Sequence, residues 1–247
     1  MLSELPGGGA AVQRREGSPA AQASAARGTP PSPREAEKTQ ELPFGVRELV
    51  VVDNGSTDAT AEVARRAGAT VVSEPRRGYG AACLAGLAHL RRDPPEIVAF
   101  LDADGSDDPG ELPEVLRPIL ERRADLVIGS RTRGAHEPGS LSPVQRFGNG
   151  LATSLLHGAF GFRFSDLGPF RAIRWDALER LGMRDRDYGW TVEMQARALR
   201  AGLRCVEVPV RYRRRRLGKS KVSGTLRGAT GAGGKILWTI ARVRLGG

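Results

Sequence analysis

The sequence predicts an α/β protein whose mixed, mostly parallel sheet is flanked by helices. Three observations support this fold class. From residue 46 onward, short apolar runs typical of buried strands alternate with stretches of helix-forming residues. The apolar run over residues 97–101 suits a strand buried on both faces, and two carboxylates follow it directly. The order strand, helix, strand over residues 46–73 predicts a parallel pair with a right-handed crossover.

The composition sets broad limits on function. A chain of 247 residues is long enough for one α/β domain with a sizeable core, and its formal net charge is +10. This charge favours polyanionic partners, namely nucleic acid, an anionic membrane surface or phosphorylated substrates. Cys83 and Cys205 lie far apart and have no metal-ligand spacing, so we expect two buried apolar residues. Neither a secretory signal nor a span of about 20 apolar residues is evident, which predicts a cytoplasmic protein, in solution or peripheral to a membrane.

Residues 1–45 are predicted to be a disordered or non-homologous segment, with disorder extending to about Thr39. They are rich in Ala, Gly, Pro, Ser, Arg and Glu, and they show no sustained periodicity. Such a segment buries too little apolar surface to offset the loss of chain entropy. The predicted domain therefore covers residues 46–223. Residues 224–247 are predicted to form an amphipathic helix whose apolar and basic residues suit either an anionic bilayer surface or packing against the domain.

The first predicted strand, over residues 46–52, ends at Asp53. The Asn-Gly pair after Asp53 predicts a tight turn, followed by a helix over residues 59–67 and a strand over residues 69–73. Asp53 stands at the carboxyl end of its strand, where its carboxylate can accept a hydrogen bond from a nucleotide base or a ribose hydroxyl. A simple turn with a helix cap explains the neighbouring polar residues equally well, but it explains Asp53 less well.

A glycine-rich turn precedes the helix predicted over residues 81–90. Glycines before a helix N-terminus allow an anion to approach the backbone N–H groups closely. Gly78, with Arg76 and Arg77 beside it, therefore indicates a neighbouring diphosphate, although a lone Gly-x-Gly pattern is a weak signal.

The strand over residues 97–101 leads into the strongest site signal. Side chains alternate along a strand, so Asp102 and Asp104 point the same way, at the edge where open α/β sheets bind ligands. Paired carboxylates suit Mg²⁺ or Mn²⁺, which keep coordination positions open for substrate phosphates. The alternative is that these acids cap the next helix, but Asp107 and Asp108 can already do so. We therefore favour a metal site.

The remaining predicted elements continue the alternation of helices and strands. The helices are predicted over residues 111–123, 144–160, 175–181 and 188–201, and the strands over residues 125–129, 170–173 and 203–212.

Taken together, the motifs resemble family-2 glycosyltransferases of the GT-A fold, closest to the branch of dolichyl-phosphate mannose and glucose synthases. The runs Val-Val-Asp-Asn-Gly-Ser-Thr-Asp, Gly-Tyr-Gly-Ala-Ala and Phe-Leu-Asp-Ala-Asp-Gly carry this resemblance. It extends over about residues 46–244. The resemblance implies that Asp53 contacts the nucleotide base, while Asp102 and Asp104 hold the ribose and the divalent metal. The metal would neutralise charge on the departing nucleoside diphosphate.

One element of the family is not evident in the sequence. Family members open with a strand of the type Val-Ile-Pro-x-x-Asn-Glu, which is central in the sheet and lines the nucleotide pocket. Residues 1–45 contain nothing like it. We therefore expect the chain as written to lack part of its donor site and to be unstable or inactive.

Further candidate site residues lie in the second half of the chain. The Ile-Gly-Ser-Arg run matches the family and makes Arg131 a candidate contact for an acceptor phosphate; a surface arginine is the alternative. The segment around Asp166 resembles the family's Asp-x-x-x-Gly-Phe-Arg, so Asp166 binds a sugar hydroxyl, acts as a base, or caps a turn. Glu193 lies where inverting members place an acid facing the acceptor, although helical glutamates are more often solvated.

The basic run over residues 211–221 is the strongest charge feature. It fits Arg-x-x-Gly-x-Ser-Lys, the segment that holds the acceptor's phosphate in polyprenyl-phosphate glycosyltransferases. The resemblance thus assigns Arg215, Ser220 and Lys221 to the acceptor phosphate, which guanidinium and hydroxyl groups suit. A nuclear-localisation-like or RNA-binding run is the competing interpretation. Only Tyr212 is interleaved as a stacking aromatic, so no nucleic-acid partner is expected.

The sequence thus predicts an inverting, metal-dependent glycosyltransferase that moves a hexose from a UDP- or GDP-sugar to a polyprenyl phosphate. Asp104, Asp166 and Glu193 are its candidate catalytic residues. A phosphate acceptor loses its second proton near pH ~6 and needs no strong protein base, whereas a sugar hydroxyl would need Asp166 or Glu193. The alternatives are transfer to a hydroxyl in cell-envelope polysaccharide synthesis, a nucleotidyltransferase, and a non-catalytic protein that binds nucleic acid or phospholipid through residues 211–221.

Overall fold

The computed structural model describes residues 9–14, 45–215 and 226–246, with side chains described for residues 45–215 and 233–246. The strands are β1 (Gly9–Arg14), β2 (Val46–Asp53), β3 (Thr70–Ser73), β4 (Ile97–Asp102), β5 (Leu126–Ser130), β6 (Arg171–Arg174) and β7 (Cys205–Pro209). The α-helices are α1 (Thr60–Arg66), α2 (Tyr79–Leu90), α3 (Leu112–Leu120), α4 (Pro143–Phe160), α5 (Trp175–Leu181), α6 (Trp190–Arg200) and α7 (Leu226–Leu245). The predicted phosphate contacts Ser220 and Lys221 lie outside the described residues.

The seven described strands form one sheet in the order β3-β2-β1-β4-β6-β5-β7. Five of them run in the same direction, while β1 and β6 run the opposite way. This confirms the predicted mixed, mostly parallel α/β sheet. It also confirms the parallel pairing of β2 with β3, which are joined through α1.

Strand β1 corrects two expectations for residues 9–14, which the structure describes within the N-terminal segment. The sequence predicts that this segment is disordered and that the central strand is missing, but β1 lies between β2 and β4 and is antiparallel to both. Its sequence, Gly-Ala-Ala-Val-Gln-Arg, contains a single β-branched residue. The backbone groups of the two flanking strands supply ladder partners on both sides, and this tertiary pairing outweighs the weak local preference. Strand β1 therefore fills the position between β2 and β4, but it runs antiparallel to both of these neighbours.

Helices cover both faces of the sheet. Phe100 of β4 faces the larger apolar cluster, which includes residues of α2, α4, α5, α6 and α7. Leu101 faces the opposite cluster, against α3. The alternation of side chains along a strand explains this division. Cys83 and Cys205 are free and buried, as predicted.

The C-terminal helix α7 packs against the domain, which was one of the two alternatives for residues 224–247. Ile240 and Val243 are buried in the larger core, and Arg242 Nη2 lies 3.0 Å from Glu193 Oε1. The opposite face of α7 leaves Trp238 exposed. None of the described helices is both long and apolar enough to cross a membrane.

Candidate active site

A loop of residues 103–108, here called the acidic loop, follows β4. Its residues Asp104 and Asp107 are almost completely buried. Asp104 Oδ1 accepts hydrogen bonds from the backbone N–H of Ser106, at 2.9 Å, and from the Ser106 hydroxyl. Asp107 Oδ2 accepts from the backbone N–H of Asp102 at 3.0 Å. These local hydrogen bonds hold the loop in a compact turn at the edge of the sheet.

The capping prediction for this loop is correct for only one of the two acids. Asp108 Oδ1 accepts from the N–H of Gly110 at 3.1 Å, which caps the short turn that begins at Pro109. Asp107 instead turns back toward β4, and its Oδ1 has no hydrogen-bond partner among the described residues. A buried carboxylate oxygen without a partner carries a large desolvation cost. A cation bound to this oxygen would offset that cost.

Burial raises the pKa of two acids here, Asp102 at the end of β4 and Asp107 in the loop. The pKa of Asp102 rises to about 6, first because the carboxylate is desolvated and second because Asp104 is close. Burial and the charge of Asp102 also raise the pKa of Asp107 well above its ordinary value. The positive charges of Arg131 and Arg215 act in the opposite direction on Asp102. The loop therefore concentrates negative charge that a divalent cation would neutralise.

These acids fit the predicted Mg²⁺ or Mn²⁺ in the chemistry of their donor atoms. Asp102 and Asp104 offer carboxylate oxygens, and Asp107 adds an unpartnered one. Within the described ranges, no set of three or more His, Cys, Asp or Glu side chains is arranged to hold an ion. Mg²⁺ is usually held by one or two carboxylates together with substrate phosphates, so two aspartates at an open edge are a suitable donor set.

Asp53 reaches the same edge of the sheet as Asp102. The register pairs Gly9 of β1 with Val52 on one side and with Asp102 on the other. Asp53 and Asp102 therefore end strands that are two positions apart, roughly 10 Å at ordinary strand spacing. Because β1 runs antiparallel to β2 and β4, its amino end rather than its carboxyl end lies at this edge. Asp53 Oδ1 accepts from the N–H of Ser56 at 2.9 Å, and its base-binding role stays a prediction.

The amides at the predicted anion site around Gly78 donate within the protein, and the site stays a prediction. Its N–H donates to Asn54 Oδ1 at 2.8 Å, and the next amides of the helix start, Gly80 and Ala81, donate to backbone carbonyls of residues 186–187. A Cβ added at Gly78 would lie 2.2 Å from a backbone oxygen. The glycines thus allow two chain segments to pack closely, and the amides expected to bind a diphosphate are used by the protein.

Arg131 and Asp166 form one buried unit. Asp166 Oδ2 accepts from the N–H and the Nε of Arg131, and Oδ1 accepts from Nη2, each at 2.8 Å. Hydrogen bonds to Asp166 raise the pKa of Arg131 although burial opposes this. The guanidinium also lies over the ring of Tyr212, 5.0 Å from its centroid. Asp166 therefore positions Arg131, and its predicted role as a base or sugar ligand is not supported.

Glu193 is also used by the protein itself. Its Oε2 accepts from the N–H groups of Arg184 and Asp185, at 3.0 and 2.7 Å. Its Oε1 accepts from Arg197 and Arg242, at 2.9 and 3.0 Å. The side chain is fully buried. Glu193 therefore joins α6 to α7, and its predicted role toward an acceptor stays a prediction.

Residues 211–215, here called the arginine strap, cross the acidic loop. Every second side chain of the strap is an arginine that pairs with an acid of the loop region. The pairs are Arg211–Glu111 (3.3 Å), Arg213–Asp108 (2.7 Å) and Arg215–Asp104 (2.7 Å). The predicted phosphate contact Arg215 is therefore beside the predicted metal ligand.

A cleft of about 530 Å³ lies on the other side of the strap. Arg214 is held there by Glu137, whose Oε2 accepts from its backbone N–H at 2.8 Å. The buried Ser140 hydroxyl has no hydrogen-bond partner within the described residues. The residues lining the cleft are Gly139, Ser140, Ser142, Gln145, Tyr212, Arg214 and Arg215. Two arginines and three hydroxyl-bearing residues make this cleft suitable for an anionic group.

Comparison with protein families identifies the fold. The model of "Glycosyl transferase family 2" matches residues 36–182, more than half of the chain. The chain belongs to glycosyltransferase family 2. An uncharacterised glycosyltransferase of Mycobacterium tuberculosis is 47% identical over 190 residues, which are 76% of this chain and 83% of that protein. An undecaprenyl-phosphate mannosyltransferase of Micrococcus luteus is 33% identical over 219 residues, 81% of this chain and 87% of the relative.

Solved structures show the same fold. The glucosyl-3-phosphoglycerate synthase of Mycobacterium tuberculosis, crystallised with Mn²⁺, uridine diphosphate and glucosyl-3-phosphoglycerate, aligns with a TM-score of 0.60 at 24% identity. The alignment covers 80% of this chain and 69% of the synthase. This likeness confirms the GT-A architecture.

Sequence reasoning missed the role of Arg171 in this glycosyltransferase. Arg171 is buried, and its guanidinium donates to the carbonyls of Leu167, Gly168 and Thr191. Burial lowers its pKa to about 10, and its charge lowers the pKa of Asp102. The residue is part of the Gly-Pro-Phe-Arg segment, but nothing in the sequence shows that its charge acts on Asp102.

Proposed function

We propose that this family-2 glycosyltransferase moves a hexose from a UDP- or GDP-sugar to a polyprenyl phosphate, with inversion and with Mg²⁺ or Mn²⁺. The donor would lie along the sheet edge between Asp53 and the acidic loop. The acceptor phosphate would lie at the cleft beside the arginine strap. The Mn²⁺ and uridine diphosphate bound by the structurally similar synthase support the donor side. The name of the undecaprenyl-phosphate mannosyltransferase relative supports the acceptor side.

The engagement of Asp166 and Glu193 is the observation that favours a phosphate acceptor. Both carboxylates are buried and hydrogen-bonded to arginines and backbone amides. Carboxylate oxygens that already accept several hydrogen bonds in this way are not available to receive the proton of an acceptor hydroxyl. A hydroxyl acceptor needs a base, whereas a phosphate monoester is largely a dianion above pH ~6 and can attack directly.

The proposed reaction then follows from what each group does. An oxygen of the acceptor phosphate attacks the anomeric carbon from the face opposite the leaving group, which inverts the configuration. The bond from that carbon to the donor diphosphate breaks through an oxocarbenium-like state. When bound at Asp102 and Asp104, the divalent ion supplies charge neutralisation for the nucleoside diphosphate that leaves. Arg214 and Arg215 orient the acceptor phosphate, and no proton has to be moved.

An apolar stripe on α4 lies next to the cleft and suits a polyprenyl chain. Val144, Phe147 and Leu151 recur at helical spacing and are exposed, Phe147 by 74%. Ser142 and Gln145, at the start of the same helix, line the cleft. An acceptor with its phosphate in the cleft could place its hydrocarbon along this stripe. We therefore propose that the enzyme works peripherally at a membrane surface.

A donor and acceptor screen tests this function. The full chain is incubated with Mn²⁺, a panel of UDP- and GDP-hexoses, and a short-chain polyprenyl phosphate, and the lipid products are analysed by mass spectrometry. We expect a lipid product that is heavier by one hexose. We expect no such product when the polyprenyl phosphate is replaced by the polyprenol of the same length. Transfer to the polyprenol, or addition of the nucleotide instead of the hexose, would contradict the proposal.

A further inference from the structure

The contact between Arg215 and Asp104 is an ion pair rather than a directed hydrogen bond. Arg215 Nη2 lies 2.7 Å from Asp104 Oδ2, yet that oxygen has no hydrogen bond among the described residues. Oδ1 is already used by Ser106. Asp104 is 4% exposed at its side chain and Arg215 is 37% exposed. One partner is thus fixed inside the loop, while the other approaches from the solvent side and is free to leave.

Among the arginines that act on Asp102, Arg215 is the one that pairs directly with an acid of the loop. Three arginines, Arg131, Arg171 and Arg215, act electrostatically on Asp102. The guanidinium of Arg131 is hydrogen-bonded to Asp166, and that of Arg171 to backbone carbonyls. Of these three, Arg215 is the one whose ion pair is with an acid of the loop.

A divalent ion and the guanidinium would compete for this oxygen. Mg²⁺ binds carboxylate oxygen at about 2.1 Å, while Arg215 Nη2 is 2.7 Å from Asp104 Oδ2. Two cations held within a few ångströms of each other in a partly buried place repel strongly. This repulsion favours movement of the guanidinium away from Oδ2 when the ion binds there.

We propose that Arg215 is an internal counter-cation that occupies the divalent ion's place at Asp104 and is displaced when the ion binds. This inference rests on the proposed metal site and adds a regulatory exchange to it. Arg215 also lines the cleft, so the displaced guanidinium is delivered to the place proposed for the acceptor phosphate. Ion binding would in this way prepare the acceptor side before an acceptor arrives.

Binding of Mn²⁺ alone tests the exchange without an activity assay. The signal of free Mn²⁺ in electron paramagnetic resonance is followed during titration of the full chain, without nucleotide. We expect Arg215→Gln to bind Mn²⁺ about tenfold more tightly than the wild type, because the competing charged contact is lost. Arg211→Gln is the matched control, since it removes the same charge from a strap pair with Glu111. We expect its affinity to stay within about twofold of the wild type. Affinity of Arg215→Gln equal to or weaker than the wild type would overturn the exchange.

Asp104→Asn separates this inference from the metal assignment itself. Loss of Mn²⁺ binding in Asp104→Asn, with no tightening in Arg215→Gln, would refute the exchange and leave the metal site in place. Unchanged Mn²⁺ binding in Asp104→Asn would refute the metal site and the exchange together.

Limited digestion of the wild type with trypsin gives a second readout. Trypsin cleaves after arginine, and the strap offers several such bonds. We expect Mn²⁺ to speed cleavage within residues 211–215 of the wild type. The Arg215→Gln chain should already be cleaved quickly without the ion and should respond little to it. A cleavage rate in the wild type that Mn²⁺ leaves unchanged would count against displacement.

Discussion

Asp166 accepts three hydrogen bonds from a single residue, Arg131, through both carboxylate oxygens. The pair is buried, with 0% of the Asp166 side chain and 13% of the Arg131 side chain exposed. A carboxylate bound in this way fixes the position of the guanidinium above the Tyr212 ring. The geometry assigns Asp166 to positioning.

The first prediction concerns Asp166→Asn. The variant places an amide N–H₂ group against the Arg131 donors and leaves the buried positive charge of Arg131 uncompensated. We therefore expect the free energy of unfolding to fall by roughly 3 kcal/mol. Below the melting temperature, we expect a higher acceptor KM and an unchanged shape of the pH–rate profile. Chemical denaturation and steady-state kinetics measure the two effects.

Asp176→Asn is a matched control for this substitution. Asp176 pairs with Arg174 at 2.9 Å, but its side chain is 57% exposed. Exposed pairs contribute little, so we expect a change below about 1 kcal/mol. A large loss of kcat in Asp166→Asn, with full stability and an altered pH profile, would restore Asp166 as a base.

The second prediction is that Glu193→Gln lowers stability rather than catalysis. The Glu193 carboxylate joins α6 to α7 through Arg197 and Arg242. In the glutamine variant, only the amide oxygen can accept hydrogen bonds. We expect a loss of about 2–4 kcal/mol, with kcat of the folded protein within a few-fold of the wild type. Glu179→Gln, which alters an exposed pair with Arg91, is the control. A stable Glu193→Gln protein that had lost turnover would contradict the structural role.

The third prediction is that the stability contributed by the ion pair of Asp125 with Arg204 is lost at low pH. Hydrogen bonds from Arg204 hold the pKa of Asp125 at about 2, below its ordinary value of 3.8. Because the folded-state pKa is depressed, the stabilisation is complete above pH 3.8 and is lost as the pH falls through about 2. The difference in unfolding free energy between the wild type and Asp125→Asn should therefore shrink over this window. A difference that stays constant to the lower pH would contradict the assignment.

The fourth prediction tests strand β1. Ala11 pairs with Val50 on one side and with Phe100 on the other, at the centre of the sheet. Proline has no N–H to donate to either ladder, so Ala11→Pro should lower the melting temperature by roughly 5 °C or more. Ala11→Ser keeps the N–H and should have a small effect. Equal melting temperatures for the proline variant and the wild type would show that the sheet does not need this strand.

The sequence reveals those parts of the site that depend on local pattern. Asp102 and Asp104 follow a buried apolar run, and that run alone places them at the sheet edge. The capping role of Asp108 could also be predicted, since Pro109 and Gly110 follow it directly.

The other parts depend on contacts between distant residues. The partner of Glu193 in α7, Arg242, is 49 positions away, and Arg213 is 105 positions from Asp108. Hydrophobic periodicity carries no information about such pairs. Strand β1 was missed for a related reason, since its six residues have little strand preference and depend on two neighbouring strands.

The pH dependence of transfer shows whether the acceptor phosphate supplies its own nucleophile. The rate with a short-chain polyprenyl phosphate is measured from about pH 5 to about pH 8 at saturating donor and Mn²⁺. We predict a rise through about pH 6, where the phosphate loses its second proton, then a plateau, with the same midpoint in Glu193→Gln. A midpoint that moves in Glu193→Gln, or a rate that is independent of the ionisation of the phosphate, would contradict the account.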